Sequence, residues 1–165
     1  MAGLYGLMSR VERDGAWTRV AGRFWRAVPA GAEAGVLDGT ARAGRYNRPG
    51  ERTLYLSASP QGVAAAMARY GEAERALVAL QVEADGLVDL RDGDACAALG
   101  IDAGRAKEDW TAALDRGETP ASWVVADRAR LVGAAGLIDA SRRLTGAWHL
   151  VLFGWGRNVR IADTR

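Results

Sequence analysis

The chain has 165 residues, of which 49% are hydrophobic and 25% are charged, and these proportions exclude collagen, coiled coil and intrinsic disorder. No run approaches the roughly 20 apolar residues that a membrane span requires. Charged residues interrupt residues 1–17, so we expect no secretory signal. The length suits one compact domain over residues 1–165. The single cysteine, Cys96, excludes an internal disulfide and favours a cytoplasmic location.

The basic residues are almost all arginine. Lys107 is the only lysine among 22 basic residues, and 33 alanines and 21 glycines accompany the arginines, a mixture typical of a GC-rich bacterial genome. The 20 acidic residues are interspersed along the chain, and the formal net charge is +2. Nucleic-acid-binding proteins concentrate their basic residues in a stripe or patch. The interspersed charges therefore argue against a nucleic-acid partner.

The residue inventory excludes several kinds of catalytic site. His149 is the only histidine, so a metal cluster of the usual histidine and cysteine spacing cannot form, and we expect no metal site. Any serine–histidine or cysteine–histidine site would need His149, which stands in the apolar run 148–153 and is interpreted as a core residue. Lys107 lacks the glycines of a phosphate-binding P-loop. Cys96, in an alanine-rich run, is predicted to be a small buried side chain.

Hydrophobic patterning and turn residues divide the chain into short strands and helices. Ser59 and Pro60 are typical of a helix start, and Gly71, Gly100 and Gly117 are typical of helix ends. The predicted strands are residues 24–28, 53–57, 76–83 with a continuation at 88–90, 136–141 and 148–155. The predicted helices are residues 60–70, 94–99, 105–116 and 120–132. Helices that are not regularly spaced between strands indicate an α+β fold.

A loop at residues 39–50 is dense in glycine and arginine, and it contains the run Gly44-Arg45-Tyr46-Asn47. An arginine beside a glycine can approach a diphosphate closely and bind it through two parallel hydrogen bonds. Tyr55 follows ten residues later on the next predicted strand, where its ring can pack on a base or a nicotinamide. Alternatively, Arg45 is a solvated arginine of the loop, and Tyr55 is a core residue whose hydroxyl contacts water.

In order and spacing, these segments resemble the RES-domain family, toxins of bacterial toxin–antitoxin pairs that are named for arginine, glutamate and serine residues. The family's loop has a tryptophan where this chain has Tyr46. The resemblance extends over residues 24–153. The matching segments are residues 24–28, 43–50, 53–60 and 136–142, and the strand that ends at Phe153.

The resemblance implies an α+β core similar to that of ADP-ribosyltransferases, with NAD⁺ as the substrate. The family's arginine, tyrosine and serine map to Arg45, Tyr55 and Ser141, which we expect to be catalytic. Family members are inhibited by an antitoxin that occludes the pocket, so a partner of this kind is implied too. The residues expected to bind NAD⁺ are Arg45, Tyr55, Asn47 and Arg26, with Arg48 as a secondary candidate.

The family's glutamate has no counterpart in this chain. It falls on the helix after the tyrosine strand, where this chain has only apolar residues at positions 63–67. A carboxylate there would stabilise the positive charge that develops as nicotinamide leaves. Asp139 lies two residues before Ser141 on a predicted strand and is expected to point to the same side, although a plain charge at the strand edge is the alternative. The acids that can compensate are Glu72, Glu74, Glu118 and Asp139.

Three functions follow as hypotheses. The first is a toxin that transfers ADP-ribose from NAD⁺ to a protein acceptor, which the missing glutamate favours because activation of water suffers more than attack by a good nucleophile. The second is a toxin that depletes NAD⁺ by hydrolysis or phosphorolysis. The third is a non-catalytic module that binds RNA or a partner protein.

Overall fold

The computed structural model describes residues 9–71 and 73–163, and it confirms the α+β fold. The strands are β1 (Arg10–Asp14), β2 (Trp17–Pro29), β3 (Leu54–Ser57), β4 (Arg75–Asp89), β5 (Gly136–Ala140), β6 (Trp148–Leu152) and β7 (Val159–Asp163). The α-helices are α1 (Pro60–Met67), α2 (Gly93–Ala98), α3 (Trp110–Asp115) and α4 (Ala121–Leu131). Short 3-10 helices cover Glu33–Gly35, Ala68–Tyr70 and Ala103–Lys107.

The long strand β2 extends well beyond the segment predicted at residues 24–28, and β4 joins the segment predicted at residues 76–83 to its predicted continuation at 88–90. They form one antiparallel ladder with each other along almost their whole length, and Phe24 pairs with Leu80 in its middle. Neither β1 nor β7 is predicted from the pattern. The residues of β1 are all exposed, so this strand lacks the alternation of apolar and polar residues that marks a half-buried strand.

The single helix predicted at residues 105–116 is wrong. A 3-10 helix, Ala103–Lys107, ends at Glu108, whose backbone is extended, and α3 then begins separately. The side chain of Asp109 causes the break, because its Oδ1 accepts hydrogen bonds from the backbone N–H groups of Thr111 and Ala112 at 3.0 and 3.2 Å. An aspartate in this position starts a new helix rather than continuing an old one. The carbonyl of Glu108 is thereby left outside any helix.

The sheet is mixed, and its pairings close into a ring. The strand order is β1-β2-β3-β6-β5-β4-β7, and β2 additionally pairs with β4. The five inner strands therefore form a closed series, β2-β3-β6-β5-β4, with β1 and β7 attached outside it. All these pairings are antiparallel except the one between β4 and β5. The chain between these two strands carries α2, α3 and α4.

Alternation along the inner strands separates two apolar clusters. One face of β3, β5 and β6 contributes Leu54, Leu56, Ile138, Leu150 and Leu152 to a core inside the sheet. The opposite face packs on α2 and α4 through a second cluster that includes the predicted buried thiol of Cys96, whose pKa burial raises to about 11. Tyr55, Ser57, Asp139, His149 and Val151 lie on this second face, at the strand positions that alternate with the first set. In residues 9–71 and 73–163, no helix is long and apolar enough to cross a membrane.

Candidate functional site

A cavity of about 370 Å³ opens on the second face of the sheet, beside α1 and the loop that precedes β3. Four of the five residues expected to bind or react with NAD⁺ line it: Arg26, Arg45, Tyr55 and Ser141. Asn47 is not among the lining residues. The structure thus brings together side chains from β2, the loop, β3 and the end of β5.

The loop from Gly44 to Asn47 is a tight turn, closed by a hydrogen bond of 3.0 Å from the Gly44 N–H to the Asn47 carbonyl. Glycine is required at its first position. A Cβ atom on Gly44 would lie 2.5 Å from Asn47 Oδ1 and 2.8 Å from Tyr55 Oη, closer than real Cβ contacts allow. The glycine therefore lets the loop pass directly over the Tyr55 hydroxyl.

The hydroxyl of Tyr55 organises this loop. It accepts a hydrogen bond from the Tyr46 N–H at 3.0 Å and donates one to Asn47 Oδ1 at 2.8 Å. Burial raises its pKa above the usual value, so it stays protonated and keeps donating. Asn47, which is only 1% exposed, uses its Nδ2 to donate to the carbonyls of Arg42 and Arg48. The structure places Asn47 inside the loop, where it can hold Arg45 in position.

Helix α4 anchors the same loop from the other side. Trp123 Nε1 donates to the Gly44 carbonyl at 2.8 Å, and the Ser122 hydroxyl donates to the Arg45 carbonyl. Arg130 Nη2 donates to the Tyr46 carbonyl at 3.2 Å. Three successive carbonyls of the loop are thus each held by a side chain of α4. This explains why one face of α4 mixes aromatic and charged residues instead of forming an apolar stripe.

Arg48, the secondary candidate for the diphosphate, also belongs to this anchor. Its guanidinium forms two hydrogen bonds with the carboxylate of Asp127 on α4, at 2.6 and 2.8 Å. It also lies over the ring of Trp123, at 5.2 Å from the ring centre. Arg48 is not among the residues that line the cavity.

Arg45 projects from the loop into the cavity. Its Nη1 donates to the carbonyls of Ala106 and Glu108, at 3.0 and 3.1 Å. The break between the 3-10 helix and α3 frees the Glu108 carbonyl for this contact. Burial, together with the nearby charge of Arg142, lowers the Arg45 pKa. Among the described residues, Nε and Nη2 of Arg45 have no hydrogen-bond acceptor, and these atoms remain for a ligand.

Arg26 reaches the cavity from β2. Its Nη1 is buried and has no hydrogen-bond partner within residues 9–71 and 73–163. Burial lowers its pKa, an effect that the charge of Asp38 partly offsets. A buried donor without an acceptor is costly, and for a charged group the cost is higher still. An anionic ligand in the cavity would counter the charge of this guanidinium.

Asp139 also lines the cavity, on the same side as Ser141, as the strand alternation predicts. Its Oδ2 accepts a hydrogen bond from the Tyr46 hydroxyl at 2.5 Å and one from Arg142 Nη1 at 2.6 Å. Burial, and then the charge of Asp139, raise the Tyr46 pKa well above its usual value. The residue that replaces the family's tryptophan thus fixes the orientation of a carboxylate. The Ser141 hydroxyl accepts from the N–H groups of Arg143 and Leu144 in the next turn.

The charge in the cavity is strongly positive. Asp139 is the one carboxylate among its described lining residues. Helix α1 presents only Val63, Ala66 and Met67 to the cavity, so the described part of this helix supplies no acid. Glu74 and Glu118 do not line the cavity, and Glu72 lies outside the described residues. Five arginines, named here the arginine cluster, line the cavity: Arg26, Arg45, Arg69, Arg142 and Arg143.

The sequence reasoning missed His149 as a site residue, as it missed Arg69, Arg142 and Arg143. His149 is half-buried and lines the cavity, whereas it was expected in the core. Its Nδ1 lies 2.8 Å from the hydroxyl of Ser57, its register partner on β3. Burial lowers its pKa below the ordinary 6.5. Strict alternation along the run 148–153 would have found it, because Leu150 and Leu152 take the core positions and leave His149 on the opposite face.

The comparisons with known proteins agree with this architecture. The structure is similar to a chain of the crystal structure of the M. tuberculosis MbcT-MbcA toxin–antitoxin complex, with a TM-score of 0.54 and 19% identity. The alignment covers 94% of this chain and 87% of that chain. No curated protein matches the sequence. A family profile described as the RES domain matches residues 16–163, and the protein therefore belongs to the RES-domain family.

Proposed function

We propose that this protein is the toxin of a toxin–antitoxin pair and that it transfers ADP-ribose from NAD⁺ to a protein. Membership of the RES-domain family supports the class, since RES-domain toxins generally act on NAD. The similar fold found in a toxin–antitoxin complex supports it independently. The choice of NAD⁺ as the substrate rests on the charges of the residues that line the cavity.

The observation that carries the proposal is the arginine cluster with its single, already paired carboxylate. The diphosphate of NAD⁺ bears two negative charges, and a guanidinium binds phosphate oxygens through parallel hydrogen bonds. Arg45 offers Nε and Nη2, and Arg26, which has no ion-pair partner among the described residues, adds a second positive charge to the wall of the cavity. Four of the five arginines have no ion-pair partner among the described residues, and such a cavity favours a ligand with a dianionic diphosphate over a neutral one.

Asp139 is the residue we propose in place of the missing glutamate. Transfer breaks the bond between the ribose C1′ and the nicotinamide nitrogen, and the electron pair leaves with neutral nicotinamide. The acceptor's nucleophile forms the new bond to C1′ and gives up a proton. The Asp139 carboxylate, fixed by Tyr46 and Arg142, opposes the positive charge that develops on the sugar. Tyr55 positions Arg45 through the loop and presents its ring to the cavity.

The arginine cluster also suits the partner expected of a toxin. We propose that the cognate antitoxin places acidic groups, or a chain-terminal carboxylate, against Arg45 and its neighbours. Burying that charge under a partner without a counter-ion would be costly. The toxin–antitoxin complex with a similar fold supports a partner of this kind. On this proposal the free protein binds NAD⁺ and the complex does not.

The test incubates the purified protein with NAD⁺ labelled in the adenylate half, with and without a bacterial lysate. Transfer predicts label on a lysate protein, together with free nicotinamide. Free nicotinamide without labelled protein would instead indicate hydrolysis or phosphorolysis. Arg45→Ala is expected to abolish both signals, and Arg116→Ala, at an exposed arginine outside the cavity, is the matched control. If the wild-type protein releases no nicotinamide under either condition, the proposal is wrong.

A further inference from the structure

We infer that His149, positioned by Ser57, accepts the proton that the incoming nucleophile loses during transfer. This inference rests on the proposed function and adds a residue to that same site. It starts from the only imidazole of the chain, which the structure places in the wall of the cavity.

The pairing of β3 with β6 places the imidazole ring beside Ser57. β3 and β6 are antiparallel neighbours, and Ser57 and His149 face each other in their register. Both residues line the cavity, and the Ser57 hydroxyl lies 2.8 Å from His149 Nδ1. Ser57 is only 4% exposed, so its hydroxyl stays with the ring. One nitrogen of the imidazole is therefore occupied.

The other ring nitrogen, Nε2, has no hydrogen-bond partner among the described residues, and it is not one of their buried unpartnered atoms. It is therefore accessible to solvent, on a ring that lines the cavity. When Nδ1 carries the proton and donates to Ser57 Oγ, Nε2 holds the lone pair and acts as a base. Ser57 orients the ring in this tautomer, which makes it a positioning residue.

Charged groups of both signs surround the imidazole ring. Asp139 on β5 is the register partner of His149 on its other side and favours the protonated form. Burial and the charge of Arg142 oppose protonation and have the larger combined effect, so the ring is neutral near pH 7. Arg26 and Arg143 add positive charge to the same cavity. A neutral imidazole can accept a proton there, and Asp139 then stabilises the cation that forms.

Asp139 itself is poorly suited to the proton transfer. Its Oδ2 already accepts hydrogen bonds from Tyr46 and Arg142, and its negative charge is needed while C1′ becomes positive. Asp139 on β5 thus stabilises the developing positive charge, and His149 on the adjacent strand β6 accepts the proton. In the step itself, the bond between the acceptor's nucleophilic atom and its proton breaks, that atom bonds to C1′, and the proton moves to His149 Nε2. Nicotinamide leaves with the electron pair of the broken bond, and His149 later returns its proton to solvent.

The test compares nicotinamide release by His149→Gln with that of the wild type over a range of pH. Glutamine keeps a hydrogen-bonding group beside Ser57 but cannot accept a proton. We expect release to fall by about 10²-fold, the lower end for loss of a general base, and its decline at acid pH to disappear. Azide, an anionic nucleophile with no proton to lose, is expected to restore the rate of the variant. A loss that azide does not relieve, or an unchanged rate and pH profile, overturns the inference.

Variants of Ser57 test whether this residue positions His149. Ser57→Ala is expected to lower the rate and move the acid limb of the pH profile, and Ser57→Thr, which keeps the hydroxyl, is expected to restore both. Since His149 is the only histidine, its ring resonances give its pKa directly by NMR, and the midpoint should lie below 6.5 and match the acid limb. An active wild type with an unaffected His149→Gln variant refutes the inference alone. A wild type that releases no nicotinamide refutes the proposed function too.

Discussion

The hydroxyl of Tyr55 offers the sharpest test of how the site is held together. Tyr55→Phe removes one oxygen and leaves the ring in place. Two groups then lose their partner: the N–H of Tyr46, a residue that is 1% exposed, and Oδ1 of Asn47, also 1% exposed. A buried polar group without a partner costs roughly 1–3 kcal/mol. For two such groups we therefore expect the free energy of unfolding to fall by about 2–6 kcal/mol.

Urea unfolding followed by tryptophan fluorescence measures this loss. The matched control is Tyr70→Phe, since Tyr70 is 53% exposed and its hydroxyl has no hydrogen-bond partner among the described residues. The control should lie within about 0.5 kcal/mol of the wild type, as surface substitutions usually do. The Tyr55→Phe variant should also bind NAD⁺ more weakly, because the loop that carries Arg45 is loosened. A Tyr55→Phe variant as stable as the control would show that the hydroxyl does not organise the loop.

Three further predictions concern the cavity. Arg45→Lys keeps the charge but loses the parallel hydrogen bonds, so calorimetry should show NAD⁺ binding weaker by about 1.5–3 kcal/mol, and unchanged affinity would remove Arg45 from the site. Asp139→Asn should lower nicotinamide release by about 10²–10³-fold, and a rate equal to that of the wild type would mean that the developing charge is stabilised elsewhere. Because Asp139 already supplies a carboxylate, Ala66→Glu should not raise nicotinamide release above that of Ala64→Glu, its control on the exposed side of α1. A clear increase would show instead that the acid absent from α1 limits the rate.

Local signals in the sequence located several elements well. Ser59 and Pro60 predict the start of α1, and the Ser59 hydroxyl does accept the N–H of Gly62 at 3.0 Å. The loop with Gly44 and the strand with Tyr55 are also where the pattern places them. These features depend on residues close together in the chain. The α+β class follows from the same local information.

Features that depend on distant pairing were not accessible in this way. The length of β4 is set by β2, and the exposed β1 exists because β2 offers an edge to it. The contact between Tyr46 and Asp139 joins residues 93 positions apart. The apolar neighbours of His149 predict a core position, whereas the ladder with β3 turns the side chain towards the cavity. Chain proximity carries no information about such contacts.

The hydrogen bonds from α4 to the loop determine which residues of the site can be substituted without disturbing the fold. Ser122, Trp123 and Arg130 hold main-chain carbonyls, which every amino acid possesses, rather than particular loop side chains. At position 45 the path of the backbone is thereby fixed independently of the side chain that the loop displays to the cavity. Substitutions of the residue that meets the ligand can change what is recognised without rebuilding the scaffold. A loop held in this manner is a good starting point for evolving new specificity.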